Sequence, residues 1–286
     1  MTSYYRVYYL FMKNIPYTDF GGKGEILLFV HANGFPPMCY KSLLDQWTPH
    51  YRVIGIHLRP LWEDSDFRSF RSWTTLSKDL LLFIKKQGWG KVYCVSHSLG
   101  GVVSIHAAYH EPTYFKHLIL LEPVLFTRLI PTLTRLFPPR ISRDIIPISR
   151  IALKRKAIWE SKEEMFKTYR EKKIFEKIED KVLRQMVEGF LEKTPEGKFQ
   201  LIYSRDWEAQ IYSTVMYIVN KINKSTVPIS IAKGAHTEVI NNKTWIKLQN
   251  HIPQERLRTF ENTSHLLPFE SQEVLSLWVL QQLSAT

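Results

Sequence analysis

Cysteine is nearly missing from this chain: Cys39 and Cys94 are the two present in 286 residues, and they form no C-x-x-C pair. A disulfide framework is thereby excluded, and both thiols read as small buried residues. Long apolar runs are missing as well, since none reaches the roughly 18 residues that a membrane span needs. The opening MTSYYRVYYLFM lacks the charged head and small-residue cleavage site of a signal peptide. These absences predict a cytoplasmic chain. Neither H-E-x-x-H nor another metal spacing occurs, so the expected chemistry needs no metal and no organic cofactor. The one glycine cluster, GGKG at 21–24, lacks the spacing of a nucleotide loop and reads as a turn. Internal repeats and low-complexity segments are not found.

Acidic residues are the minority, 27 against 39 Lys and Arg, which leaves a formal net charge of +12. The excess is concentrated: between Arg128 and Arg184 sixteen cationic residues face eight acidic ones. Such a segment is either a solvated helical face or a field that attracts anionic substrates or an acidic membrane surface. Nucleic acid is not expected, because no recognised binding module accompanies the charge.

What is present in quantity is short apolar strands alternating with helices. Residues 4–12, 15–20, 25–30, 51–56, 91–97, 117–122 and 228–234 read as strands, and 74–87 as an amphipathic helix. That alternation predicts an α/β fold, a doubly wound, mostly parallel sheet covered on both faces. Between Pro123 and about Thr226 the rhythm stops and the pattern turns helical and charged, with SKEE at 161–164 as a capping box and Gly189 as a helix end. The expected domains are therefore a core of 1–122 and 227–286, with a helical cap of 123–226 inserted between the sixth and seventh strands. The end of the chain, from RLRTF onward, reads as strand, loop and amphipathic helix.

The stretch KVYCVSHSLGGVVSIHAAYH (91–110) passes from strand to helix with almost no residues for a loop. SHSLG (96–100) has the small-x-nucleophile-x-small pattern of a sharp turn, a variant of G-x-S-x-G with Ser96 in the first glycine's place. Bulky residues two places either side would collide, so Ser96 and Gly100 fit and Ser98 is lifted clear as the candidate nucleophile. Centring the turn on Ser96 instead would break the strand early and waste both glycines.

A serine hydroxyl needs a base. Of ten histidines, His265 lies in a polar loop between the final strand and helix, where an imidazole can reach across the sheet's carboxyl edge. His97, His106, His110 and His117 read as packing or surface residues. The imidazole in turn needs a carboxylate. Glu122 and Glu238 stand at strand exits as the two candidates, and Glu122 is favoured. For an oxyanion, the Leu99 N–H at the helix start is one donor. HANGFPP (31–37) supplies the other, the N–H or side-chain amide of Asn33, with Ala32 as the alternative.

Together LFVHANGFPP, VSHSLGG, LILLEP and SHLLPFES resemble the α/β-hydrolase superfamily, over nearly the whole chain outside the insertion. The layout is similar to capped members such as haloalkane dehalogenases and epoxide hydrolases, some of which place the third triad member after strand six, where Glu122 stands. Those enzymes attack with an aspartate, whereas the matching residue here is Ser98. The resemblance therefore implies a capped serine hydrolase of the esterase or lipase-like branch, cleaving a small-molecule carboxylic ester through an acyl-enzyme. The same machinery serves carbon-carbon bond hydrolysis or acyl transfer, and a non-catalytic ligand-binding homologue is the rival from another class. Phe126, Leu129, Ile130 and Trp159 are candidates to line an acyl pocket, and the basic cap to dock on a membrane.

Overall fold

A computed structural model describes residues 14–129, 132 and 139–285. The strand expected at 4–12 and the pocket candidate Ile130 lie outside the described residues. The first described strand, β1 (Tyr17–Gly21), is followed by β2 (Ile26–Val30), β3 (Arg52–Ile56), helix α1 (Thr74–Gln87), β4 (Val92–His97), helix α2 (Leu99–His110) and β5 (Phe115–Leu121). After a long excursion come β9 (Ile229–Gly234), β10 (Leu257–Phe260) and a final helix, Gln272–Ser284. These strands form one sheet of order β1-β3-β2-β4-β5-β9-β10. Only β1 runs antiparallel to its neighbour; the other pairs are parallel.

Side-chain alternation explains why both faces are covered. In β2, Leu28 and Val30 join an apolar cluster with Leu76, Leu80 and Phe83 of α1 and Val102 of α2, while Leu27 and Phe29 join the opposite cluster with Leu44, Trp47 and Trp278. A strand buried on both sides must be apolar throughout, as ILLFV is, and each such side chain contributes about 1.5–3 kcal/mol on burial. Helix α1 has the expected bounds and stops at Gly88, whose φ of +67° gives the left-handed cap that ends a helix. The GGKG turn works through close approach: a Cβ on Gly22 would lie 1.9 Å from the Tyr51 carbonyl oxygen.

Between β5 and β9 lie helices α3 (Pro139–Ile145), α4 (Pro147–Leu153), α5 (Lys162–Arg170), α6 (Asp180–Phe190) and α7 (Arg205–Tyr212). The segment is not wholly helical. Strands β6 (Ile158–Trp159), β7 (Leu191–Lys193) and β8 (Phe199–Leu201) form a small antiparallel sheet, with Gly197 at φ +85° in the turn between β7 and β8. Ser161 caps α5 as expected, its hydroxyl accepting from the Glu164 N–H at 3.1 Å.

Gly189 stands where the sequence expects a helix end, one residue before α6 stops at Phe190, but it is not among the glycines at positive φ and so is not a left-handed cap. A Cβ there would come within 2.3 Å of the Cys39 amide nitrogen, so the glycine also lets this last turn of α6 pack against the turn at Pro37–Tyr40. Of the pocket candidates, Trp159 is buried in the second cluster, Phe126 packs against the first and Leu129 is exposed. Both cysteines are buried and free. No helix among the described residues is long and apolar enough to cross a membrane.

Candidate active site

The site forms where β4, β5 and β9 end. Ser98 sits between β4 and α2 at φ +54° and ψ −114°, a region that a residue with a Cβ enters only under strain. The fold holds it there. The Ser98 N–H donates to the Leu121 carbonyl at 3.1 Å, and its own carbonyl accepts from Gly101 at 3.1 Å and Val124 at 3.4 Å. The glycines make the bend sterically possible: a Cβ on Gly100 would stand 2.1 Å from the Val30 oxygen, and one on Gly101 2.8 Å from Pro123. Ser96 is fully buried, and its hydroxyl has no hydrogen-bond partner among the described residues.

Ser98 Oγ lies 2.8 Å from His265 Nε2, and His265 Nδ1 lies 3.2 Å from Glu122 Oε2. The carboxylate fixes the tautomer, because it can only accept: Nδ1 carries the proton and Nε2 is free to accept from the serine. Glu122 is completely buried and is itself at φ +48°. Its Oε1 accepts from the Gly234 N–H and its Oε2 from the Thr237 hydroxyl at 2.6 Å. Gly234 matters twice, since a Cβ there would press within 2.6 Å of the Thr263 and Ser264 carbonyls. That close approach brings the His265 loop down beside the acid. Glu270 anchors the same loop by accepting from the Ser264 N–H at 2.5 Å and the Ser264 hydroxyl at 2.7 Å. Serine, imidazole and carboxylate thus form one chain that can abstract a proton from Ser98.

The family model for the alpha/beta hydrolase fold matches residues 26–272. The chain belongs to this family. Among curated relatives it is 22% identical to the "Uncharacterized hydrolase YugF" of Bacillus subtilis, over 92% of each chain. It is 26% identical to the "Type I acyl-CoA thioesterase mpaH" of Penicillium brevicompactum, over 58% of this chain and only 39% of that protein's length. Among solved structures, E-2-(acetamidomethylene)succinate hydrolase superposes with a TM-score of 0.77 at 16% identity, covering 94% of both chains. The chain is a hydrolase of the α/β fold.

Within this α/β hydrolase, Glu238 is exposed, while its neighbour Thr237 reaches Glu122. Asn33 is placed differently from one of the expectations. Its side-chain Nδ2 donates to the Glu208 carbonyl at 3.0 Å and its Oδ1 accepts from the Tyr203 hydroxyl at 2.8 Å, so the amide is occupied in holding α7. Its backbone N–H, like that of Leu99, has no acceptor among the described residues, whereas Ala32 N–H donates to Tyr40 Oη at 3.4 Å. Gly34, at φ +77°, leaves room for the Glu208 carboxyl group, whose carbon a Cβ there would approach to 2.9 Å. Arg155 neutralises that buried carboxylate.

His97 turns away from Ser98, yet it is part of the framework. Its Nδ1 accepts from the Tyr40 hydroxyl at 2.7 Å and its Nε2 donates to the His265 carbonyl at 2.9 Å. Burial holds its pKa well below the ordinary histidine value, which keeps the ring neutral and the donor directions defined. A chain of hydrogen bonds therefore runs from Ala32 through Tyr40 and His97 to the backbone of His265. Nothing in the sequence signals it, because 57 residues separate Tyr40 from His97 and 168 separate His97 from His265. His106 and His110 lie on α2. His117 is buried beside Ser230 at 2.9 Å.

Proposed function

We propose that this chain is a serine hydrolase of carboxylic esters that works through an acyl-enzyme, with Ser98 as nucleophile, His265 as general acid and base, and Glu122 as the orienting carboxylate. The observation that carries the reading is the unbroken Ser98, His265 and Glu122 chain, with the serine raised on a left-handed bend. Ser98 Oγ attacks the acyl carbon as His265 Nε2 takes its proton, and the carbonyl electron pair moves onto oxygen. The N–H groups of Leu99 and Asn33 are assigned to that oxyanion, the former at the start of α2 where unpaired amides and the helix dipole favour negative charge. Collapse expels the leaving group, which receives the proton from Nε2. Water repeats the sequence on the acyl-serine, releasing the acid and restoring the hydroxyl.

The segment between β5 and β9 is assigned as the cap over the site, and its tie to the oxyanion loop through Asn33 and Tyr203 supports this role. A thioester is the second reading for the substrate, favoured by the partial likeness to an acyl-CoA thioesterase. A fluorophosphonate probe tests the nucleophile: wild type is labelled and Ser98→Ala is not. Absence of label on the folded wild type would assign the fold to ligand binding instead. A series of p-nitrophenyl esters from acetate to palmitate, run beside the corresponding acyl-CoA thioesters, then ranks acyl length and leaving group.

A further inference from the structure

Helices α3 and α4 are patterned inside out. They pack against α7 with their small and polar residues: Ser142, Ser149 and Ala152 are at most 2% exposed, and the Ser149 hydroxyl donates to the Ala209 carbonyl at 2.8 Å. Ile141, Ile145, Ile148 and Ile151 point away from the protein and are between 47% and 67% exposed. Ile141 and Ile145 are one turn apart on α3, and Ile148 and Ile151 are one turn apart on α4, so each helix carries an exposed apolar pair on one side, the two pairs together making the stripe across the break at Ile146. An amphipathic helix on a globular core buries its isoleucines and exposes its serines. The reversal means that the apolar stripe is not explained by this chain's own core.

The charge beside the stripe narrows what covers it. Several of the insertion's cations are held by acidic partners, as in Lys162 with Glu188 and Arg184 with Glu163. Arg150 and Lys154 differ: both are exposed, and neither has a carboxylate partner among the described residues. The sole acid on the two helices is Asp144. A two-fold pairing of the stripe with itself would bring the same cations together, which opposes association. An anionic lipid surface takes both features at once, acyl chains receiving the isoleucines and headgroups the cations.

We propose that α3 and α4 form a peripheral docking face for an anionic bilayer, with the isoleucine stripe entering the headgroup–acyl boundary. This proposal does not depend on the assignment of Ser98. The full chain is floated with phosphatidylcholine vesicles and with vesicles that also contain phosphatidylserine, at low salt and at about 0.5 M salt, where surface charge is largely screened. Binding is expected on the phosphatidylserine vesicles and is weakened by salt. Ile145→Ser/Ile148→Ser/Ile151→Ser lowers the partition coefficient at least about tenfold, and Arg150→Gln/Lys154→Gln lowers both the binding and its salt sensitivity. Unchanged thermal unfolding, and unchanged hydrolysis of whichever soluble ester the wild type accepts, show that these variants stay folded. The proposal is overturned if wild type does not bind phosphatidylserine vesicles or if the isoleucine variant binds as wild type does. Self-association in solution that the isoleucine substitutions abolish, without lipid binding, overturns it in favour of a second copy.

Discussion

Replacing Glu122 by Gln exchanges one carboxylate oxygen for an NH2 group and leaves the buried volume almost unaltered, so its effect isolates the carboxylate's role. In the wild type both oxygens accept: Oε1 from Gly234 N–H, Oε2 from the Thr237 hydroxyl and from His265 Nδ1. A glutamine has one acceptor end. If its oxygen keeps the Gly234 N–H, its NH2 faces His265, and the ring must turn its unprotonated nitrogen inward, leaving Nε2–H directed at Ser98. That tautomer cannot accept the serine proton. If the amide is flipped, its NH2 meets the Gly234 N–H, donor against donor at a fully buried side chain, at a cost of about 1–3 kcal/mol. Either arrangement also removes the negative charge that stabilises the imidazolium. By analogy with loss of the orienting carboxylate in other serine triads, turnover should fall by up to about 10⁴. Glu238→Gln, on an exposed side chain, should leave turnover within about twofold, as surface changes do. Steady-state hydrolysis of one p-nitrophenyl ester by the three proteins, with thermal unfolding as a folding control, measures this. Activity of Glu122→Gln within about tenfold of wild type would falsify the assignment of the acid.

Two further outcomes follow from buried histidines. Tyr40→Phe deprives His97 Nδ1 of its donor and slackens the hold on the His265 carbonyl; kcat is expected to fall about tenfold with KM little changed, alongside a loss of about 1–3 kcal/mol for the unpaired buried nitrogen. A loss of stability at unchanged kcat would limit Tyr40 and His97 to packing. Burial also lowers the pKa of His31 to about 3 and of His117 to about 4. The unfolded chain then binds protons first, near pH 6.5, so stability is full above that value and lost as pH falls. Between pH 7 and pH 5 each of these two rings removes about 2 kcal/mol. Urea midpoints at pH 7, 6 and 5 should fall in that order, and a flat series would contradict the burial of neutral rings.

The parts of the molecule that the sequence reveals are those with local, repeated causes. Strands such as 26–30 are apolar on both faces, α1 carries its period over 14 residues, and the bend at Ser98 is announced by Gly100 and Gly101. The parts it conceals depend on what arrives from elsewhere in the chain. Strands β6, β7 and β8 have two or three residues, too few to display a period. Gly189 marks the end of α6 as its sequence suggests, but the close approach it permits, to the backbone at Met38 and Cys39 about 150 residues earlier, is not visible locally. The Asn33 amide looks free in HANGF, but Tyr203 and Glu208 occupy it from the far side of the insertion.

The position of Glu122, the proposed acid, shows how sheet geometry constrains a site more tightly than chain order does. Many enzymes of this fold carry an aspartate after the strand that corresponds to β9, whereas here the slot holds Thr237. Strands β5 and β9 are neighbours in parallel register, with Leu121 opposite Ala232, so their exits lie side by side. A carboxylate leaving either strand can reach the same point beneath His265. From β5 it must first turn across the gap, and the positive φ of Glu122 makes that turn, a strain on the order of 1–3 kcal/mol. Three features compensate for it: the Glu122 N–H donates to the Ala232 carbonyl at 2.8 Å, Gly234 donates to Oε1, and Thr237 donates to Oε2 from the slot that an aspartate would otherwise fill. Thr237 is therefore a donor to the carboxylate proposed as the acid. An aspartate at 237 with Glu122 still present would place two carboxylates where one proton-bearing nitrogen is available, and like charges in a buried pocket disfavour that arrangement.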